Sequence, residues 1–447
     1  MGETPPKRQD FVVRGAHVLS CDPVIGDLPE ADVYVRGGRI ISVGTGPPPG
    51  PNPGLVELDG RGMIVLPGLV ETHWHMWNTL YRSLAGSTPA HGYFAINPRL
   101  GPLFKPTDTY RGVRLALADA LSSGITTVHD WSHNISSPAH AEANLRAHTE
   151  VGLRGRFSYG PPQAVPADQT IDLADLERVH RDWFSPGSTG SEHAELLHLG
   201  LAGRPPGIAE PAVYRAEREA AHRLGIPISY HCASTRAHQQ LGMIATMHAE
   251  GMLGPEVQLI HMGYTTTAER RLVAESGASV TISPWTEMMI GYGIPPVHDL
   301  VTDDLLVNLS VDTVALSGTA DMFSIMRVVI NLAHGQAEQE FGLTARQVLN
   351  MATIDGARGL GLADVTGSLT PGKRGDLIMI RTDAPNIAPF TDAPLMAVLA
   401  AQPANVDTVV VDGRILKRHG QLTALHPAQV VAEANTALAD LLARTPG

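Results

Sequence analysis

Two rhythms of apolar and polar positions divide the 447-residue chain. From residue 10 to residue 66, short runs alternate apolar with polar and stop at turn residues: FVVRGAHVLS, ADVYVRGG, RIISVG, LVELDG and RGMIVLPG. A period of two places one face of each run in a core, which predicts strands. VYVRGGRIIS predicts a hairpin at Gly37-Gly38, since glycine tolerates the positive φ of a two-residue turn. The rhythm returns near the other end in GDLIMIRTD, VDTVVVDG and RILKRHGQ, where VVVDGRIL echoes VYVRGGRI. Both ends thus supply one small β unit. Between Gly68 and Leu362 the runs are shorter and continuously apolar (GITTVHD, PISYHC, VQLIHMG, SVTISPW, VNLSVD), and they alternate with helical stretches such as DTYRGVRLALADALSSG and PAVYRAEREAAHRLG. Strand then helix, repeated, predicts a parallel (β/α)8 barrel.

The expected fold is therefore α/β: a TIM-like barrel over 67–367, a small β-sandwich domain from 1–66 plus 368–425, and a C-terminal helix over 426–447 packed on the outside. A formal charge of -12, with no Lys/Arg run, argues against nucleic acid as a partner. No signal-like apolar core and no run approaching roughly 18 apolar residues is found, so a cytoplasmic protein that does not engage membranes is expected. The two cysteines, Cys21 and Cys232, give neither a disulfide framework nor a metal knuckle, leaving histidine and carboxylate as the available metal ligands.

Such ligands stand at strand ends. VLPGLVETHWHMW runs an apolar strand into His73 and His75, which are two apart and share a face. His231 ends PISYHC, His261 ends VQLIHMG and Asp312 ends LLVNLSVD. Each alone would read as a buried histidine or a helix cap; together, at the mouth where barrel enzymes place their chemistry, they predict a metal site. Cys232 alternates in direction with His231 and is expected to be a small core residue.

RGMIVLPGLVETHWH, SSGITTVHD, SPWTEMMIGYG, VDT followed by DMFSIMR, and GSLTPGKRGDLIMI with VDTVVVDGRIL resemble the amidohydrolase superfamily. The resemblance covers nearly the whole chain and is to the branch of cytosine, guanine and S-adenosylhomocysteine deaminases and triazine chlorohydrolases. It implies that His73, His75, His231 and Asp312 hold one divalent metal, zinc or in some members iron, with His261 beside the bound water. Such a metal lowers the pKa of bound water to roughly 7, so the resemblance implies hydroxide attack on a C–N bond, by deamination or by amide or amidine hydrolysis, of a small heterocyclic substrate, with Asp312 shuttling the proton and His261 polarising the attacked bond or stabilising the developing oxyanion. The resemblance also implies a homodimer or larger homo-oligomer.

The chain departs from that pattern at Ser234, where ring deaminases of this branch carry a proton-shuttling Glu. Glu287 in SPWTEMM or His129 closing GITTVHD could supply the missing proton transfer, against readings as a solvated carboxylate and a buried core histidine. The departure keeps a second chemistry open, displacement of halide from a heteroaromatic ring. Trp74, Trp77, Trp131 and Trp285 are candidates to stack on a flat substrate, Ser234 to contact it and Arg82 to meet an anion, against packing and a surface ion pair. His133, His140 and His148 are expected to be solvent-exposed. A catalytically silent binding protein is the reading from a different class.

Overall fold

The alternating runs and the continuous runs pair into two separate sheets. The computed structural model describes residues 5–46, 50, 54–82, 84–86, 88–188 and 195–445. The outermost residues of the expected terminal segments, 1–4 and 446–447, lie outside it. The N-terminal strands are β1 (Phe11–Leu19), β2 (Asp27–Arg36), β3 (Arg39–Gly44), β4 (Val56–Asp59) and β5 (Met63–Pro67). The barrel strands are β6 (Leu69–Trp74), β7 (Ile125–Ser132), β8 (Arg154–Tyr159), β9 (Leu197–Gly203), β10 (Ile228–Cys232), β11 (Val257–His261), β12 (Ser279–Ile282) and β13 (Leu306–Leu309). From the C-terminal part come β14 (Leu377–Arg381), β15 (Val406–Val411), β16 (Arg414–Arg418) and β17 (Gln421–Leu422).

The terminal strands form one mixed sheet in the order β17-β16-β15-β14-β5-β1-β2-β3, with β4 beside β1. It encloses its own core, in which Phe11, Val33, Val65, Leu377 and Val410 are buried together. The hairpin at Gly37-Gly38 forms with φ of 56° and 76°, and its echo at Asp412-Gly413 has 53° and 73°. The chain passes from this sheet to the barrel through Gly68, where a Cβ would lie 2.0 Å from Thr126 Oγ1. The helix Pro427–Ala443 packs outside the helix Pro106–Ser122, joined by Arg114 to Glu433 at 2.7 Å.

Strands β6 to β13 pair in sequence order, and the pairs are parallel. Burial on both faces explains their continuous apolar runs. The barrel closes where the end of β6 meets the chain after β13: Asp312 N–H donates to His73 C=O at 3.1 Å and His75 N–H to Asp312 C=O at 2.7 Å. Below that seam the interior is hydrogen-bonded rather than oily. Gln258 donates to Thr72 C=O (2.8 Å) and Thr281 Oγ1 (2.6 Å), and Thr281 donates to Asn308 Oδ1 (2.6 Å).

Two of the histidines expected in solvent are buried instead. His148 meets Asp130 at 3.1 Å with neither side chain exposed, and His140 bonds Ser137 Oγ (2.9 Å) and Phe104 C=O (3.1 Å). Both lie on the inner face of the helix Pro138–Val151, whose mixed polarity hid its buried side. Among the described residues no helix is long and apolar enough to cross a membrane.

Arg154 on β8 and Asp376, just before β14, tie barrel to sheet at 2.6 Å with neither side chain exposed. Removing one partner strands a buried charge, at a cost of about 3–5 kcal/mol. Asp376→Ala should therefore lower the denaturant midpoint clearly and Asp376→Asn less so; an unchanged midpoint for Asp376→Ala would refute a stabilising role for this pair.

Candidate metal centre

Glu71 and His73 on β6, and His75 just past its end, follow at intervals of two, but they do different work. The Glu71 carboxylate accepts His73 N–H at 2.9 Å and, across the barrel seam, Val311 N–H at 2.8 Å. Burial pushes its carboxyl up to about 8, against the pull of these two donors toward the charged form. Ser310 completes the tie, donating to His73 C=O at 2.7 Å and accepting from Asp312 N–H at 2.9 Å.

His231 lies in β10 and His261 ends β11, while Asp312 sits beyond the end of β13 rather than at its last residue. The backbone there is forced. His261 has φ of 80°, Met262 53°, Ala233 49° and Asp312 61°. Left-handed conformations at non-glycine positions cost on the order of 1–3 kcal/mol each and persist where surrounding bonds over-determine them. Met262 N–H to Cys232 C=O (3.1 Å) and Tyr264 N–H to Ala233 C=O (2.9 Å) lock the two strand ends together. Cys232 is fully buried against Met243, as its alternation with His231 predicts.

Four donors converge as a result. One ligand atom from each of His73, His75 and His231 lies within 4.8 Å of the others. Asp312 Oδ1 is 3.2 Å from His73 Nε2 and 3.3 Å from His75 Nε2. Burial lowers the pKa of all three imidazoles, and for His75 and His231 the neighbouring histidines lower it further, which keeps them neutral and their lone pairs available. Both ring nitrogens of His73 and Nδ1 of His75 are buried with no hydrogen-bond partner. Neutral imidazoles and one carboxylate facing a common point, with polar atoms otherwise unsatisfied, fit a divalent cation.

His261 stands next to this set, its ring 5.3 Å from that of His231. Glu287, in the first turn of the helix Pro284–Met289, accepts from His261 Nδ1 at 2.9 Å and from Ser283 N–H at 3.0 Å. A carboxylate accepting at Nδ1 leaves Nε2 as the reactive nitrogen. Burial alone would lower the His261 pKa, but the bond to Glu287 and the charge of Asp312 outweigh it and the net shift is upward.

A cavity of about 270 Å³ opens over these groups. Tyr93, Phe94, Trp131 and Tyr292 form aromatic walls, and Asn97 and Gln163 add neutral polar groups. Among its described lining residues Asp312 is the one carboxylate, and none is Lys or Arg. His133 also lines it, contrary to the expected solvent exposure, because the chain turns back over the mouth after β7. Trp77 Nε1 donates to His133 Nδ1 at 3.2 Å, which places the proton on Nε2, and burial holds this ring neutral with a pKa of about 3.

The structure thus brings together His73, His75, His231, His261, Asp312 and Trp131. It places the other candidates elsewhere. Glu287 lies behind His261 and does not line the cavity. His129 lies below the site, bonded to Thr72 C=O (2.8 Å) and Ser158 Oγ (2.7 Å). Trp77 is buried behind His133, Ser234 is buried outside the cavity lining, and Trp285 is 42% exposed on the outer side of its helix. Arg82 is paired with Asp119 at 2.6 Å. Gln163 and Tyr292 reach the cavity from irregular connections and carried no spacing signal, whereas Tyr93 and Asn97 stand four apart on the helix Tyr93–Leu100, a same-face interval that could have found them.

Residues 64–416 match the amidohydrolase family. The chain is 28% identical over 97% of its length to a 5′-deoxyadenosine deaminase of Methanosarcina acetivorans, covering 99% of that protein. It is 30% identical over 84% of its length to a 5-methylthioadenosine/S-adenosylhomocysteine deaminase of Moorella thermoacetica, covering 87% of it. Among solved structures, a zinc-bound adenosine deaminase from Xanthomonas campestris superposes with a TM-score of 0.86 at 24% identity, covering 98% of this chain and 100% of that one. The zinc complex of an atrazine chlorohydrolase from Arthrobacter aurescens TC1 does so with 0.83 at 21%, covering 96% and 100%.

The seam geometry gives a test that spares the ligands themselves. In Glu71→Gln an amide N–H₂ must face one of the two backbone N–H groups, so metal affinity should fall about 10- to 100-fold while the protein remains folded. Chelator competition followed by elemental analysis measures this; unchanged affinity would show that the seam does not set the ligand geometry.

Proposed function

The chain belongs to the amidohydrolase family, and from that premise we propose that it hydrolyses an exocyclic C–N bond of a small, flat, uncharged heterocycle at a mononuclear site, releasing ammonia or an amine. The observation that carries this reading is the 270 Å³ cavity, aromatic-walled and free of Lys and Arg among its described lining residues, set directly over the convergent donors. Aromatic walls favour a planar ring, and the absence of a lining cation disfavours a phosphate or carboxylate on it. The relatives named as deaminases of 5′-deoxyadenosine and 5-methylthioadenosine support C–N cleavage on such a ring.

His73, His75, His231 and Asp312 would hold the metal, with zinc the first choice from these four ligand types. A divalent cation there supplies Lewis acidity and activates water near neutral pH. The protein's own groups handle the protons. Asp312 takes one from the attacking water and returns it to the departing nitrogen. His261, held by Glu287 at Nδ1, donates in its protonated form from Nε2 to the attacked position and steadies the charge that develops there. Trp131, Tyr93 and Tyr292 hold the ring in place, and Nε2–H of His133 offers it a directed hydrogen bond.

A second reading draws on one specific feature. Ser234 is buried outside the cavity lining and, among the described residues, Asp312 is the one carboxylate on it, so a ring nitrogen finds no second carboxylic acid there to protonate it. That suits a leaving group such as halide, which departs without a proton. Metal-loaded enzyme should be offered matched amino-, alkylamino- and chloro-substituted purines, pyrimidines and triazines, with ammonia, amine and chloride release measured. Amine release ahead of chloride supports the first reading; chloride alone would replace it with the second, and no turnover of any substrate would count against both.

Glu287→Ala should lower kcat about 100-fold, with metal content and KM little changed, because His261 loses the partner that orients it. Normal kcat would remove the His261–Glu287 pair from the mechanism.

A further inference from the structure

Among the described residues the buried arginines are neutralised, with one exception. Arg114 meets Glu433 at 2.7 Å, Arg154 meets Asp376 at 2.6 Å, Arg204 meets Glu217 at 2.6 Å and Arg270 meets Asp303 at 2.5 Å. Arg156 is 4% exposed, yet among the described residues no carboxylate reaches it, and its hydrogen bond goes to the neutral carbonyl of Leu360. A buried guanidinium held only by a carbonyl is an incomplete arrangement, because desolvation of the charge is not offset.

The surroundings are built around this side chain. Arg156 on β8 pairs in register with His198 on β9, so both point to the same side of the sheet. The next residue on that face of β9 is Gly200, where a Cβ would stand 2.9 Å from Arg156 Cδ; glycine leaves room for the arginine stem. His198 Nε2 is buried without a hydrogen-bond partner. Burial together with Arg154 and Arg156 lowers the His198 pKa to about 4, so the ring is neutral and adds no repulsion.

Arg156 and His198 both line a cavity of about 690 Å³. Pro227 and Pro255, which precede β10 and β11, also line it, so it opens at the starts of the strands whose other ends carry His231 and His261. Its walls include Phe184, Leu199, Leu224, Ile226 and Leu362. At the edge, His222 and the half-exposed Glu256 stand 4.0 Å apart.

We propose that this second cavity, at the opposite end of the barrel from the metal centre, binds a small organic monoanion: a carboxylate bonded by Arg156 and His198, with an apolar body against Phe184, Leu199, Ile226 and Leu362. One uncompensated cation matches one negative charge, and the apolar walls match a hydrocarbon or aromatic body. Glu256 at the edge opposes a multiply charged phosphate.

The test uses 3-phenylpropionate as probe and its uncharged amide as control, titrated calorimetrically into metal-loaded wild type. Saturable one-to-one binding of the acid and none of the amide are expected. Arg156→Gln should weaken it about tenfold or more, the loss of one charge-assisted hydrogen bond, while Arg156→Lys retains most of it. His73→Ala should bind as well as wild type, which separates this cavity from the catalytic one. If Arg156→Gln fails to fold, histidine NMR of the wild type decides: the His198 ring signals should move with the probe while those of His75 and His133 stay. No binding, equal binding of the amide, unchanged affinity in Arg156→Gln, loss in His73→Ala, or unmoved His198 signals would each overturn the proposal.

Discussion

The closure of the barrel is the constraint from which the site follows. A parallel sheet of eight strands has two edges, and here the edges meet through the backbone of His73, His75 and Asp312. The bonds that abolish the edge therefore also fix the relative positions of the donors that the metal needs. Glu71 reinforces the seam from within, its carboxylate held between the N–H of His73 and that of Val311. A break at this line would open the barrel and scatter the ligands together, so folding and ligand geometry are one event in this part of the molecule.

Convergence has a cost that the structure meets in layers. Neutral imidazoles with unsatisfied nitrogens, left-handed backbone at His261 and Asp312, and a buried carboxyl at Glu71 all oppose folding in the absence of a cation. The hydrogen-bonded interior below the seam, from Thr72 through Gln258 and Thr281 to Asn308, gives the ligands a rigid floor. Above them the mouth is soft and aromatic. Chemistry is fixed by the floor, and substrate choice by residues on connections that differ in length and course.

The same physics separates the two ends of the barrel. At the strand ends a carboxylate is shared among histidines, and positive charge is what the site lacks. At the strand starts the balance is reversed: Arg156 is an excess cation among apolar walls, while its neighbour Arg154 is fully matched by Asp376. Neither imbalance could be assigned from composition, because the net charge of -12 sums over surface groups that never meet either cavity.

Periodicity and spacing determined much of this by themselves. The change from alternating to continuous apolar runs separated the mixed sheet from the barrel, and the two-residue interval of His73 and His75 placed both on one face, because side-chain direction along a strand is a local property. The positions of His231 and His261 at strand ends were likewise local, whereas Asp312 lies beyond the end of β13. Tertiary structure alone decided the rest. His133 came into the cavity along the loop after β7, and Trp285 stayed outside on the helix Pro284–Met289, because the course of the chain beyond each strand, not the strand period, set where they point. Glu287 went behind His261, and Arg82 to Asp119, because a charged side chain is placed by whichever partner the fold brings within reach. The pairing of Arg156 with His198 joins strands separated by a helix and a long connection, and register between such strands is fixed only when the barrel closes.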